Sequence, residues 1–222
     1  MPLYRDFSDE KATILLWKFD ERETLDPHEL LEAENFEKVK DYHPTKLKEL
    51  LLVRKILKSI LPDHQILYKD REPFLSPADY EISVTHSFPF AALAISKEKI
   101  GIDIEPFHDK IVRIKNKFIQ PEEMHFIEKE KETAYLTVIW SLKESLYKIH
   151  HSNYWSLKKH YEVKPFSLDF PYNINVVYTM TPFRIYLKRA WNFSKITASP
   201  LWSEVQSQVF PPLFAVLSRH RR

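Results

Sequence analysis

Glycine occurs once in 222 residues, at Gly101, where average usage of about 7% would supply roughly fifteen in a chain this long. This scarcity excludes a P-loop and a GxGxxG dinucleotide loop, whose backbones need glycine to approach a phosphate closely. If the chain grips phosphates, side chains or helix N-termini must do so. The remaining composition supports a folded protein: 44% of residues are apolar and 14% aromatic, enough for a substantial core in one large domain or two small ones. The 33 Lys and Arg residues nearly balance 31 Asp and Glu, so net charge gives no reason to expect nucleic-acid or membrane binding. With no cysteine, disulfides and thiolate metal sites are excluded. No apolar run approaches the ~18 residues of a membrane span, and the N-terminus lacks the order of a signal peptide. The expectation is a cytoplasmic protein.

Hydrophobic periodicity predicts a strand over Ala12 to Phe19, a helix over Pro27 to Tyr42 and a longer helix over Pro44 to Leu61, where Leu47, Leu50, Leu51, Leu57 and Leu61 recur at helical spacing. Arg54 falls on that stripe, placed either to snorkel to water or to enter a site. Short β-rich runs follow at Glu81 to Thr85 and Phe90 to Ser96, and Lys99 to Glu105 alternates strictly. Pro121 to Lys131 and Thr133 to His150 are patterned as helices, and Tyr161 to Phe170, Ile174 to Met180 and Phe183 to Trp191 as strands. The predicted fold class is α+β in two halves, residues 1–98 and 99–193, with 194–222 a tail to which the pattern assigns no role.

Three segments carry the chemistry. Asp103 and Glu105 sit two apart on a predicted strand, so both carboxylates project from one face and can share a hard cation. The bland alternative is a solvated strand edge. In Trp140-Ser-Leu-Lys143-Glu144-Ser-Leu-Tyr-Lys148, Glu144 and Lys148 are four apart on one helical face, presenting a third carboxylate with an ammonium or forming an ordinary surface ion pair. Ser83-Val-Thr85-His86-Ser87 ends a strand with hydroxyls flanking an imidazole, groups suited to phosphate oxygens, although a lone histidine there is often a turn residue.

In order and spacing, Thr85-His86-Ser87, Gly101-Ile-Asp103-Ile-Glu105 and Trp140 to Lys148 together resemble the signature of the 4′-phosphopantetheinyl transferase superfamily, with a fainter likeness from about residue 12 to 170. The length resembles its long single-chain branch, which implies two similar α+β halves arranged as a pseudo-dimer and makes a monomer the simplest expectation. The resemblance implies Mg²⁺ and the coenzyme A pyrophosphate at Asp103, Glu105 and Glu144. It implies catalytic roles for Asp103, Glu144 and Lys148, Glu144 or a metal-held water taking the proton of a carrier-protein serine. Lys143 and Lys148 would offset phosphate charge, and Thr85 and His86 would contact coenzyme A. Arg54, with Lys46 and Lys48 on the preceding turns, corresponds to residues near the 3′-phosphate. The implied partners are coenzyme A and an apo acyl or peptidyl carrier protein.

Two departures stand out. Where the family often has Gly-Lys-Pro this chain has Arg71-Glu72-Pro73, Arg71 standing in for a cation beside the repulsive Glu72, and no glycine follows Lys148. Competing readings are a different Mg²⁺-dependent phosphoryl or nucleotidyl transferase, a non-catalytic relative that docks carrier proteins, and a nucleic-acid binder using the basic helix from Lys46 to Lys58. The interspersed acids make that helix a solvated face by default.

Overall fold

The computed structural model describes residues 3–31, 33–150, 156–168, 175–178, 184–186 and 213–218. In chain order the strands are β1 (Leu3–Asp6), β2 (Ala12–Lys18), β3 (Gln65–Lys69), β4 (Glu72–Ser76), β5 (Glu81–Ser87), β6 (Phe90–Ser96), β7 (Ile100–Glu105), β8 (Tyr161–Val163), β9 (Asn175–Tyr178), β10 (Arg184–Tyr186) and β11 (Leu213–Ser218). The helices are α1 (Pro27–Leu30), α2 (Ala33–Val39), α3 (Pro44–Ile60), α4 (Lys110–Ile114), α5 (Glu132–His150) and α6 (Leu157–His160). Helices with antiparallel sheets make this an α+β protein.

The chain divides into two compact units. The first comprises residues 1–104, 148–151 and 218–222, the second 105–147 and 152–217. The division follows Ile104, inside β7. Lys148, at the end of α5, belongs to the first unit, where its side chain bonds to Asp103.

In the first unit four antiparallel strands run in the order β1-β2-β6-β5, with Leu15 and Val84 both paired to Leu93. One face of this sheet is covered by α3: Leu52, Val53, Ile56 and Leu57 pack with Trp17, Ile82, Ala91, Leu93 and Ile95. Alternation along β6 sends Ala92 and Ala94 to the other face, and they too are buried. Pro44 starts α3 because its missing N–H and fixed φ suit the first helical turn, and the His43 imidazole accepts from Thr45 N.

The β3–β4 hairpin pairs Lys69 with Glu72 around a two-residue turn, whose residues Asp70 and Arg71 have φ of 51° and 72°. Such a turn favours glycine, yet the chain's one glycine, Gly101, lies buried inside β7 without positive φ. Arg71 therefore holds a backbone conformation that glycine would take without a Cβ clash.

Three elements differ from their expected form. The helix expected over Pro27 to Tyr42 is broken, since Leu31 is extended (φ −124°, ψ 143°). Its side chain is buried with Val39 and Leu51, and that burial outweighs the helical propensity of the segment. Pro121 to Lys131 forms two 3-10 turns, Pro121–Phe126 and Lys129–Lys131, because the Glu123 carboxylate is drawn inward by Gln120 N, Val163 N and Lys143. The strand starting at Tyr161 stops at Val163, just before Pro165 in the chain. Of the later expectations, β9 and β10 fall within the two strand assignments, forming with β8 an antiparallel sheet of order β10-β9-β8. The rest of those assignments, and the tail apart from β11, lie outside the described residues.

The second unit is organised by α5, whose Tyr135, Leu136, Val138, Ile139, Leu142 and Leu146 are buried at helical spacing. Among the described residues no helix is long and apolar enough to cross a membrane.

Candidate active site

Asp103 is buried, 5% exposed, on β7. Ser83 Oγ accepts from Ile102 N at 3.0 Å and Thr85 Oγ1 from Ile104 N at 3.1 Å, so hydroxyls of β5 bracket the backbone of residue 103. Thr85 also donates to Asp103 Oδ1 over a long 3.4 Å. The Lys148 ammonium donates to the same Oδ1 at 2.9 Å and to Ile102 O at 2.8 Å. A carboxylate withdrawn from water needs such a counter-charge, and Lys148, with 26% of its side chain exposed, supplies it while keeping an edge toward solvent.

Thr85 and His86 are neighbours on β5, so their side chains leave on opposite faces. Thr85 is buried against β7, and the half-exposed His86 imidazole meets α3, its Nδ1 lying 3.0 Å from Glu49 Oε2. The strand thus separates two residues expected to grip one ligand, and Thr85 positions Asp103.

Glu105 ends β7 half-buried, and Oε1 accepts from Trp140 Nε1 at 2.9 Å. The indole also packs edge-on against Phe118, with ring centroids 5.0 Å apart. Trp140 therefore holds a carboxylate as well as anchoring α5, a double role that its apolar surface did not announce. Glu144 is half-buried on α5, four residues before Lys148; Lys143, next to it, faces inward.

Lys143 is fully buried and donates to Glu123 Oε2 at 2.7 Å and Phe118 O at 2.7 Å. Burial pushes its pKa below the ordinary lysine value, opposed by the Glu123 charge. An ammonium enclosed in this way is withdrawn from any phosphate, contrary to the expected role, because helical geometry turns it about 100° from Glu144. Glu123, its partner twenty residues earlier, carries no local signal in the sequence.

Arg54 does not snorkel to water and lies on the wall of a small pocket with Leu31, Lys58 and His64. It is 7% exposed and donates Nη1 back to Leu50 O at 3.2 Å, with the Tyr68 ring 6.0 Å away. Burial lowers its pKa, Tyr68 opposing that shift. Lys46 lies over Tyr42 and Lys48 over Phe19, at 4.3 and 4.8 Å, both on the exposed side of α3. Arg71 is at the hairpin tip, exposed.

Among the described residues no group of three His, Asp or Glu side chains is placed to hold a metal ion. The donor chemistry nevertheless suits Mg²⁺, which takes one or two carboxylates with substrate phosphate oxygens and waters rather than an all-protein cage. Asp103 and Glu105, at alternate positions of β7, are such a pair.

Residues 99–203 match the family model described as the 4′-phosphopantetheinyl transferase superfamily. The chain is also 30% identical over 118 residues to the 4′-phosphopantetheinyl transferase gsp of Aneurinibacillus migulanus, a stretch covering 50% of this chain and 49% of that protein. It thus spans about half the length of the curated relative it matches.

Proposed function

We infer, from a chain whose residues 99–203 match the model of the 4′-phosphopantetheinyl transferase superfamily, that this protein transfers the phosphopantetheine group of coenzyme A to a serine of an apo acyl or peptidyl carrier protein. The observation that carries this reading is the Lys148–Asp103 ion pair of 2.9 Å, which joins the helix and strand motifs of the matching segment. A buried acid with a solvent-edged ammonium is prepared for a ligand that brings both phosphate and cation.

In this reading Asp103 and Glu105 would hold Mg²⁺ beside the donor's phosphates, and Glu144 lies on α5 as a further acid. The cation, when bound, offsets charge on the phosphoryl oxygens. Trp140 keeps Glu105 oriented, and Thr85 keeps Asp103 in place. Lys148 neutralises phosphate charge. Glu144, one helical turn before Lys148, accepts the serine proton as the serine oxygen bonds to phosphorus; the bond to the departing 3′,5′-ADP breaks, its electron pair leaving with the nucleotide. Lys143 has no part in phosphate binding.

The test is intact mass spectrometry of an apo acyl carrier protein incubated with the full chain, coenzyme A and Mg²⁺. The expected result is a gain of one phosphopantetheine, lost with EDTA. No gain with any carrier class, at concentrations where the chain binds coenzyme A, refutes the transfer and leaves carrier docking.

A further inference from the structure

The His86 imidazole, implied by resemblance to contact a donor phosphate, already meets an anion of its own chain. Glu49, on α3, places Oε2 3.0 Å from His86 Nδ1 and accepts at Oε1 from the backbone N–H of Phe88 at 2.9 Å. The imidazole nitrogen and the Phe88 N–H therefore face the two oxygens of one carboxylate. A backbone N–H that donates to one oxygen of an anion and an imidazole that meets the other make an oxyanion receptor, and a phosphate monoester offers the same edge of paired oxygens. Only 16% of the Glu49 side chain is exposed, against 44% for His86, so the carboxylate is seated rather than swinging in solvent. Lys48, the residue before Glu49 on α3, lies over Phe19, whose ring packs at 5.6 Å on Phe88.

We propose that Glu49 is an internal anion that fills the His86–Phe88 receptor and sets donor specificity, so that the chain gains nothing from a phosphate monoester at this position. This rests on the transferase reading. There the pyrophosphate belongs to the metal-binding acids, which leaves the 3′-monoester of coenzyme A as the phosphate for His86. The other cation expected near that group, Arg54, is turned back to Leu50 O beside Tyr68. An incoming 3′-phosphate must displace Glu49 or lie against its charge, and like charges at this range repel strongly. A donor lacking that phosphate meets no such opposition.

Two titrations of the full chain test this. In the first, inorganic phosphate is followed by NMR of the His86 imidazole, assigned with His86→Gln, with chloride at equal ionic strength as control. Glu49→Ala is expected to bind phosphate at least about tenfold more tightly than the wild type, and Glu49→Gln, which keeps an acceptor for Phe88 N–H, to change in the same direction. In the second, calorimetry compares coenzyme A with dephospho-coenzyme A. The wild type is expected to favour coenzyme A by no more than about twofold and Glu49→Ala by at least about tenfold. A wild type that already favours coenzyme A tenfold, or a Glu49→Ala protein with no gain for phosphate, overturns the proposal. A gain for inorganic phosphate with neither nucleotide bound by either protein upholds the receptor and its internal anion, and refutes the coenzyme A reading instead.

Discussion

Lys143 and Lys148 are five residues apart on α5, and replacing each should damage the protein differently. In Lys143→Met the Glu123 carboxylate, 1% exposed, loses its ammonium and keeps only the N–H groups of Gln120 and Val163, while Phe118 O loses a donor. Breaking a buried pair from one side costs about 3–5 kcal/mol, a large share of a typical total stability of about 5–15 kcal/mol. The chosen residue preserves the apolar volume, so little of this loss comes from a cavity. Urea denaturation followed by circular dichroism measures it, and the double variant Lys143→Met/Glu123→Gln should recover part of it by removing the stranded charge. Lys148→Met strands the buried Asp103 carboxylate beside a more open edge, costs about 1.5–3 kcal/mol and, in the proposed mechanism, abolishes transfer. If Lys143→Met melts within about 0.5 kcal/mol of the wild type, the pair contributes nothing and the structural role of Lys143 is wrong.

Four further outcomes are expected. Because burial lowers the folded-state pKa of Lys143, unfolding takes up a proton between that value and the unfolded value near 10.5. The penalty is complete below the folded pKa and disappears as pH rises past the unfolded one, so wild-type stability relative to Lys143→Met should increase across the alkaline range, measured by urea melts at stepped pH. Arg71→Gly should stabilise by about 1 kcal/mol, since glycine accepts the φ of 72° without a Cβ clash; an unchanged urea midpoint would falsify this. Asp103→Ala should eliminate carrier modification in the mass assay and keep the far-ultraviolet spectrum of the wild type, whereas retained turnover removes Asp103 from the site. Trp140→Phe keeps the ring contact with Phe118 but loses the N–H donated to Glu105, at a cost of about 1 kcal/mol; carrier modification at limiting Mg²⁺ should fall more than at saturation.

Local pattern was sufficient wherever one residue's neighbours in sequence determine its role. Leucine spacing and Pro44 are legible as α3, and the alternation of Ile100, Ile102 and Ile104 places Asp103 and Glu105 together on β7 because side-chain direction in a strand is fixed by parity alone. The same parity, applied to Thr85 and His86, foretells their divergence onto opposite faces. The scarcity of glycine likewise rules out phosphate loops from composition alone. What depended on distant chain was hidden. Glu123 reaches Lys143 across twenty residues, Trp140 reaches Glu105 across thirty-five and Glu49 reaches His86 across thirty-seven, and none of these pairs follows from spacing. Leu31 leaves the helix for a pocket that exists only once Val39 and Leu51 are packed. Sequence alone determined which acids, cations and hydroxyls this protein has and which of them share a strand or helix face. Tertiary structure decided which of them are already committed to one another, because desolvated charges must find partners wherever the fold brings them together.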